Sequence, residues 1–259
     1  MKIILPSNGR CTHSSMEMFP PKIEHLRRAA DLSADPILKK NEFLEPLLKK
    51  PEQLKKITCD DRDYLFCVAT SVIYSGQIAF VTECECGYKF NDKHSLDDML
   101  LNVLNNPLSC KKVIFGVEYT FNTLLVEDEA AAAEKALIDD ETYEQVLQTG
   151  IVLRTLGKEL TPENYVWADT VLDLSVYLLA LVYQQCQKHG LDLRKEVVCP
   201  KCHLAMESVL PITGDLLKVD MNLIMDRFKK LLAHGLDFKA FADLTLVEYN
   251  VLVQKINQK

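Results

Sequence analysis

Two pairs of closely spaced cysteines are the residues of this sequence best suited to chemistry. Cys84 and Cys86 flank a single glutamate, and Cys199 and Cys202 flank a proline and a lysine. A metal-binding knuckle presents two thiolates from one tight turn, which the glycine after Cys86 and the proline after Cys199 favour. Two such knuckles complete the tetrahedral four-sulfur ligand set of structural zinc. The C-x-x-C pair is the stronger of the two signals, because the first pair is one residue shorter.

Two other arrangements compete with a four-cysteine zinc site. His203 directly follows the second knuckle and is the substitute ligand if Cys84 or Cys86 does not bind. Cys199 and Cys202 also have the spacing of a redox-active pair, which normally follows a strand and opens a helix. Residues 204–210 read instead as an extended segment, so zinc is the favoured interpretation. A redox pair would cycle between thiol and disulfide and bind no metal.

The remaining motifs give no indication of catalysis. Asp60, Asp61 and Asp63 form one acidic cluster and residues 139–141 form another, and helix capping or a solvated helix face explains both more simply than metal binding. The sequence contains no phosphate-binding glycine loop, no G-x-S-x-G motif and no H-E-x-x-H motif. Four thiolates also leave no open position on a metal for water. The sequence therefore predicts a protein that is not an enzyme.

The segments around both knuckles are β-prone. Residues 78–82 lead into the first knuckle, residues 88–90 follow it, and residues 196–198 precede the second. This arrangement predicts knuckles carried on β-turns, as in a zinc ribbon. A long apolar helix is expected before each knuckle, over residues 64–78 and 171–187, which gives the two halves a weak internal similarity.

Hydrophobic periodicity predicts helices over most of the rest of the chain. Helices are expected at residues 22–32, 41–56 (two short ones), 64–78 (capped by Asp60 and Asp61), 95–105, 127–149, 161–189, 216–234 and 246–256. Strands are expected at residues 2–5 and, as a strand or hairpin around Gly116, at residues 111–123. The predicted fold class is α+β, mainly α-helical, with a small β-hairpin zinc-ribbon-like element.

Composition indicates a soluble, intracellular, globular protein. Of the 259 residues, 48% are hydrophobic and 26% are charged, and the formal net charge of -7 offers no basic field for nucleic acid. The N-terminus lacks the apolar run of a signal peptide. The most apolar stretch, residues 171–183, is interrupted by Asp173 and is expected to be a buried helix and not a membrane span. Cys67 and Cys186 lie in apolar or helical patterns and are expected to be reduced core thiols.

The cysteine pairs also suggest how the chain is organised. We expect a single compact unit over residues 1–259, with a helical N-terminal part (1–110) and a helical C-terminal part (159–259). The shared zinc-ribbon-like site would join these two parts, and residues 111–158 would form an insertion between them. The sequence predicts no particular oligomeric state.

Four stretches carry a resemblance to a known family. They are LPSNG at the N-terminus, FPPKIEHLRRAADLS after it, DDRDYLF leading to VTECECGYKF, and LTLVEYNVLV near the C-terminus. Together they resemble the baseplate hub and hub-assembly proteins of T-even-like contractile-tailed bacteriophages. The resemblance covers the N-terminal part of the chain and, more loosely, its C-terminal end. The middle segment, residues 115–158, and the second knuckle depart from the family pattern.

The resemblance implies a structural or assembly subunit of a phage tail baseplate, without catalysis of its own. Such a protein is made in the host cytoplasm, contributes to the virion tail, and has other baseplate or hub proteins as partners. Candidate contact surfaces are the last helix, around Val247, Tyr249 and Val253, and the helix over residues 127–148. The alternative functions are a zinc-ribbon regulatory adaptor that binds nucleic acid or polymerase, and a thiol-disulfide oxidoreductase. The acidic net charge counts against the adaptor.

Overall fold

The computed structural model describes residues 1–10, 13–73, 77–138, 142–210, 212, 217, 221–232 and 235–257. Over these residues the chain is an α+β protein in which helices predominate, as the sequence predicts. The α-helices are α1 (Ile23–Arg28), α2 (Pro36–Leu44), α3 (Cys59–Ile73), α4 (Val126–Ala136), α5 (Tyr143–Thr155), α6 (Pro162–Thr170), α7 (Leu174–Cys186), α8 (Met221–Leu232), α9 (Phe238–Asp243) and α10 (Leu246–Asn257). Short 3-10 turns lie at Ala29–Asp31, Glu45–Leu47, Pro51–Lys56 and Leu96–Asp98.

The strands of the described residues form separate two-stranded antiparallel sheets. They are β1 (Lys2–Ile4), β2 (Ser15–Glu17), β3 (Gln77–Glu83), β4 (Lys89–Ser95), β5 (Leu101–Asn102), β6 (Ser109–Ile114), β7 (Val117–Asn122), β8 (Gly190–Leu191), β9 (Arg194–Val198) and β10 (Ala205–Val209). The pairs are β1 with β2, β3 with β4, β5 with β8, β6 with β7, and β9 with β10. The β5–β8 pair joins segments distant in sequence, whereas the β3–β4, β6–β7 and β9–β10 pairs are local hairpins.

The larger hydrophobic core contains residues from both ends of the chain. Ile3, Phe66, Phe241 and Tyr249 all belong to it. The two ends of the chain are also joined by a backbone hydrogen bond, in which the Ile23 N–H donates to the Leu244 carbonyl at 3.0 Å. The N-terminal and C-terminal segments are therefore packed together by apolar burial.

A smaller core lies under the β6–β7 hairpin. Phe121 from β7, Val152 from α5, and Val176 and Ala180 from α7 form its buried centre. The hairpin agrees with the strand pattern predicted around Gly116. Its two-residue turn has positive φ at both positions, 52° at Phe115 and 82° at Gly116, as a type I′ turn requires.

Helix α3 differs from the helix expected at residues 64–78 at both ends. It begins at Cys59, and its capping side chain is that of Thr58, whose Oγ1 accepts from the Asp61 N–H at 3.1 Å. Asp60 and Asp61 therefore lie in the first turn and are not the cap. Ile78 lies in β3, because the pairing of β3 with β4 extends from Gln77 to Glu83.

The prediction of a helix at residues 95–105 was wrong. Only a 3-10 turn, Leu96–Asp98, forms there, and β5 follows and pairs with β8. The pairing depends on a partner strand about ninety residues further along the chain, which periodicity within the segment does not reveal.

The single long helix expected at residues 161–189 is two helices. Asp173 caps α7 by accepting from the Ser175 N–H at 2.8 Å, and α6 and α7 meet at an angle of 112°. Among the described residues no single helix is long and apolar enough to cross a membrane; α6 and α7 meet that length and composition test only as a bent pair.

The helix predicted at residues 171–183 is present from Leu174 onward, but it is buried on one face only. In α7, Val176 and Ala180 are buried, but Leu174, Leu178 and Val182 are 69%, 50% and 54% exposed. One face packs on the smaller core and the opposite face contacts no core of the described residues. Cys186 at the end of α7 is exposed, contrary to the expected core thiol, whereas Cys67 is fully buried as expected.

The helix expected at residues 127–149 is observed as α4 and α5, and the acidic cluster at 139–141 between them lies outside the described residues. Helix α8 occupies the middle of the segment expected at 216–234, and α10 agrees with the one expected at 246–256. Helix α9 was not expected, because six residues are too few to give a helical period.

Candidate metal centre

The first cysteine pair lies in the turn that joins β3 to β4. The Cys84 N–H donates to the Tyr88 carbonyl at 2.9 Å, and the Gly87 N–H donates to the Cys84 carbonyl at 2.8 Å. Gly87 has φ +78°, a left-handed conformation that glycine adopts without steric cost. These bonds hold the Cys84 and Cys86 side chains on one turn.

The second pair lies in the turn that joins β9 to β10, with a matching set of bonds. The Cys199 N–H donates to the Leu204 carbonyl at 3.0 Å, and the His203 N–H donates to the Cys199 carbonyl at 2.9 Å. His203 has φ +59°, so the residue after the second cysteine is left-handed in both knuckles. The glycine at position 87 predicts the left-handed conformation, whereas the histidine at position 203 does not.

Polar side chains hold the two hairpins together beside the cysteines. Thr82 Oγ1 and Ser208 Oγ lie 3.0 Å apart in a buried hydrogen bond. Lys195 Nζ donates to the Lys93 carbonyl at 2.8 Å and lies 3.5 Å from Asp92 Oδ1. Sequence reasoning missed these residues, because their types are ordinary for the polar face of a strand.

The four cysteine sulfurs converge where the hairpins meet. The Sγ atoms of Cys84, Cys86, Cys199 and Cys202 all lie within 4.8 Å of one another. Cys84 and Cys202 are 3.6 Å apart, and Cys86 and Cys199 are 3.9 Å apart. A zinc ion with bonds of about 2.3 Å to four tetrahedral sulfurs needs sulfur–sulfur distances of about 3.8 Å. The residues therefore fit a metal ion, and their separations are far longer than the S–S bond of a disulfide, about 2.05 Å.

Each knuckle contributes one buried and one exposed cysteine. Cys84 and Cys199 are 2% and 0% exposed, whereas Cys86 and Cys202 face solvent. His203 is exposed and does not belong to the sulfur cluster. The structure thus brings together all four cysteines of the predicted site and leaves the substitute ligand outside.

The surroundings of the thiols separate their pKa values. Burial opposes ionisation of Cys199, but the backbone N–H groups of Cys202 and Lys201 and the neighbouring thiols lower its pKa to about 7. For Cys84, the backbone N–H of Cys86 favours the thiolate, yet burial and the other three thiols together raise the pKa to about 12. Amides that favour a thiolate are what a metal-binding knuckle requires, and a bound cation deprotonates all four thiols.

The local fold around Cys199 and Cys202 differs from that of a redox motif. β10 follows Cys202, where a thioredoxin-like pair would open a helix. Two hairpins that each offer one knuckle to a shared cluster are the arrangement of a zinc ribbon.

The acidic cluster near the start of α3 serves other contacts. Asp61 accepts from the Ser7 N–H at 2.9 Å, and Asp63 accepts from Lys40 and Arg62. Among the described residues, groups of histidine, cysteine and acidic side chains close enough to hold a metal ion are confined to the four cysteines.

Comparison with known proteins finds no relative of this chain. The chain matches no protein-family model, no curated protein and no solved structure. The baseplate resemblance therefore remains a prediction from the sequence stretches that carry it.

Proposed function

We propose that this chain is a non-catalytic structural protein with one zinc ion bound by Cys84, Cys86, Cys199 and Cys202. The convergence of these four sulfurs within 4.8 Å of one another, with two pairs 3.6 and 3.9 Å apart, is the observation that carries the proposal. Thiolate ligands favour zinc among the available divalent ions, and a tetrahedral four-sulfur site is typical of structural zinc.

The metal has a structural role in this proposal, because four protein ligands occupy every position of a tetrahedral ion. No position remains for a water or a substrate. The larger core already packs the two ends of the chain together, so the ion acts more locally. It fastens the β9–β10 hairpin to the β3–β4 hairpin, across 118 residues of sequence between Cys84 and Cys202.

Elemental analysis of the purified full chain tests the zinc site. We expect about one zinc per chain, since the four sulfurs form a single cluster. Cys86→Ser and Cys202→Ser should each lose the metal and unfold at a lower temperature. Cys186→Ser is the matched control, because Cys186 is exposed and outside the cluster. Protein that binds no zinc, or that loses zinc equally in the control, contradicts the proposal.

The role that we propose for this zinc-stabilised protein is in building the hub region of a contractile phage tail baseplate. The support is the sequence resemblance over the LPSNG, FPPKIEHLRRAADLS and VTECECGYKF stretches, together with a scaffold that carries no catalytic motif. Its partners in this role are other baseplate or hub proteins, and it is made in the host cytoplasm.

Infection with a phage that carries a stop codon in the gene for this chain tests the role. We expect cells to accumulate incomplete baseplates, and the chain supplied from a plasmid should restore complete tails. Antibodies against the chain should label baseplates or their assembly intermediates. Normal tails in the absence of the chain would contradict the proposal, whatever its zinc content.

A further inference from the structure

Phe115 at the tip of the β6–β7 hairpin is an unusual residue for its position. Its backbone is left-handed, with φ +52°, where asparagine or aspartate before glycine is the normal choice. Its side chain is 78% exposed. Both the backbone conformation and solvent exposure disfavour phenylalanine here, and an exposed aromatic ring of this kind is well suited to anchor an interface.

An apolar cleft lies at the other end of the same hairpin. It has a volume of about 280 Å³ and lies between the paired residues Cys110 and Phe121 and the C-terminal half of α7, where Leu179 and Val182 line it. We call it the hairpin-base cleft. An aromatic ring fits a space of this size.

The exposed side of α7 is continuous with the hairpin-base cleft, because Leu179 and Val182 belong to both. Its exposed apolar side chains, together with Val171 directly after α6, form what we call the α7 apolar face: Val171, Leu174, Leu178, Leu179 and Val182. No charged residue occurs within α7. The face begins near Asp173 and ends at the hairpin-base cleft.

The spacing of these features points to self-association. The hairpin tip and the cleft are separated by five residues along β6, or about 17 Å. Two copies placed side by side with opposite hairpin directions bring each tip to the other's cleft, and the two contacts are then identical. We propose that the chain forms a two-fold dimer in which Phe115 of each copy enters the hairpin-base cleft of the other.

The exposed apolar area is sufficient for such a dimer. Using roughly 100 Å² for an exposed aliphatic side chain and roughly 200 Å² for phenylalanine, the α7 apolar face, Phe115 and Val117 expose about 500 Å² per copy. Interfaces are about 60% apolar, so this corresponds to about 800 Å² of total surface per copy. That is the usual area that each partner contributes to a stable complex.

The charges at the edges of this face are complementary in the same arrangement. Lys112 lines the hairpin-base cleft, and Asp173 caps α7 at the opposite end of the α7 apolar face. A two-fold axis between the copies places Asp173 of one near Lys112 of the other.

Sedimentation equilibrium over a range of micromolar concentrations tests the dimer. We expect the zinc-loaded protein to reach twice its 29.4 kDa mass. Phe115→Asn should weaken the dimer at least tenfold while improving the turn, because Asn-Gly is the preferred type I′ pair. Leu178→Glu should have a similar effect, since it places a charge at the centre of the α7 apolar face.

Val113→Thr is the matched control. Val113 is 69% exposed but lies on the opposite face of the hairpin from Val117 and Phe121, so this variant should dimerise as the wild type does. A second test uses Val117→Cys with a short bis-maleimide. Reaction with Cys186 of the partner should give a covalent dimer that is lost in Val117→Cys/Cys186→Ser.

Three results would overturn the dimer. They are a monomer at every concentration, a dimer that survives both Phe115→Asn and Leu178→Glu, and a mass that grows beyond two copies. The last indicates head-to-tail contacts without a two-fold axis. None of these results depends on the zinc content.

Discussion

The residue after each cysteine pair is left-handed, and it differs between the two knuckles. An alanine Cβ at position 87 would contact no atom within 4 Å, so Gly87→Ala has only a backbone cost. That cost is about 1–2 kcal/mol for a residue held in this conformation. His203 already bears such a cost at φ +59°.

We therefore expect His203→Gly to bind one zinc and to melt at the same temperature as the wild type or higher. Glycine removes the strain at His203, although it adds entropy to the unfolded chain, which offsets part of the gain. Zinc analysis and thermal unfolding of both variants test this expectation. Loss of zinc in His203→Gly would mean that the imidazole is a ligand and that the four-cysteine assignment is wrong.

His189 is buried among acidic side chains near the start of α3. Its Nε2 lies 2.8 Å from Thr58 Oγ1 and 3.6 Å from Asp61 Oδ1, and its Nδ1 lies 3.3 Å from Asp60 Oδ2. Burial lowers the His189 pKa, but hydrogen bonds to Asp61 and to the Gln187 carbonyl, with the Asp60 charge, raise it above its usual value. The Lys188 ammonium lies 3.6 Å from Asp60 on the outer side of this cluster.

A histidine whose pKa is raised on folding stabilises the fold at low pH. This contribution is complete below the unfolded pKa, about 6.5, and is lost as the pH rises through the higher folded pKa. The free energy of unfolding of the wild type should therefore fall, relative to His189→Gln, as the pH rises from 6 to 8. Denaturant unfolding measures this difference. The experiment is done at saturating zinc, so that the Cys199 thiol does not titrate over the same pH range. Parallel pH profiles for the two proteins would contradict the assignment.

At the scale of elements, a buried ion network joins helices α2, α3 and α4. The Arg62 side chain is 1% exposed and pairs with Asp63 on its own helix and with Glu129 on α4. Lys40 on α2 bonds to Asp63 at 2.8 Å. Burial by itself would raise the Asp63 pKa, but the Arg62 and Lys40 charges lower it.

Arg62→Ala leaves Glu129 without its buried cation and leaves Asp63 with Lys40 alone, so it should lower the free energy of unfolding by about 3–5 kcal/mol. Chemical denaturation measures the loss. Arg27→Ala is the control, because Arg27 forms a similar pair with Glu24 on the surface of α1, and it should leave stability essentially unchanged. Equal effects in the two variants would show that the buried network does not hold these helices together.

Most elements that depend on neighbouring residues could be predicted from sequence, with the break at Asp173 as an exception, and those that depend on distant partners could not. Four cysteines with knuckle spacing and β-prone flanks predict the cysteine cluster and the hairpins, because each knuckle is a local turn. The break at Asp173 is a local capping event inside an apolar run whose hydrophobicity favours one continuous helix. The exposure of Leu174 and Leu178 depends on which face of α7 the hairpin covers, and the sequence does not encode that choice locally.

Two contacts join the N-terminal and C-terminal segments of the chain. The larger core does so through Ile3, Phe66 and Phe241, and the cysteine cluster does so through the hairpins. Removing the metal with a chelator should therefore loosen the hairpins without unfolding the core. Amide hydrogen exchange should accelerate at residues 77–95 and 194–209, while α3 stays protected. Global unfolding on chelation would mean that the larger core does not stay folded without the ion.

X-ray absorption at the zinc edge of the intact, zinc-loaded protein tests the four-cysteine site directly. We predict that zinc is bound by four sulfur atoms at about 2.3 Å and by no nitrogen or oxygen atom, because all four cysteines converge on one point. A shell that contains nitrogen or oxygen, or fewer than four sulfurs, would contradict a closed four-cysteine site that joins the two hairpins.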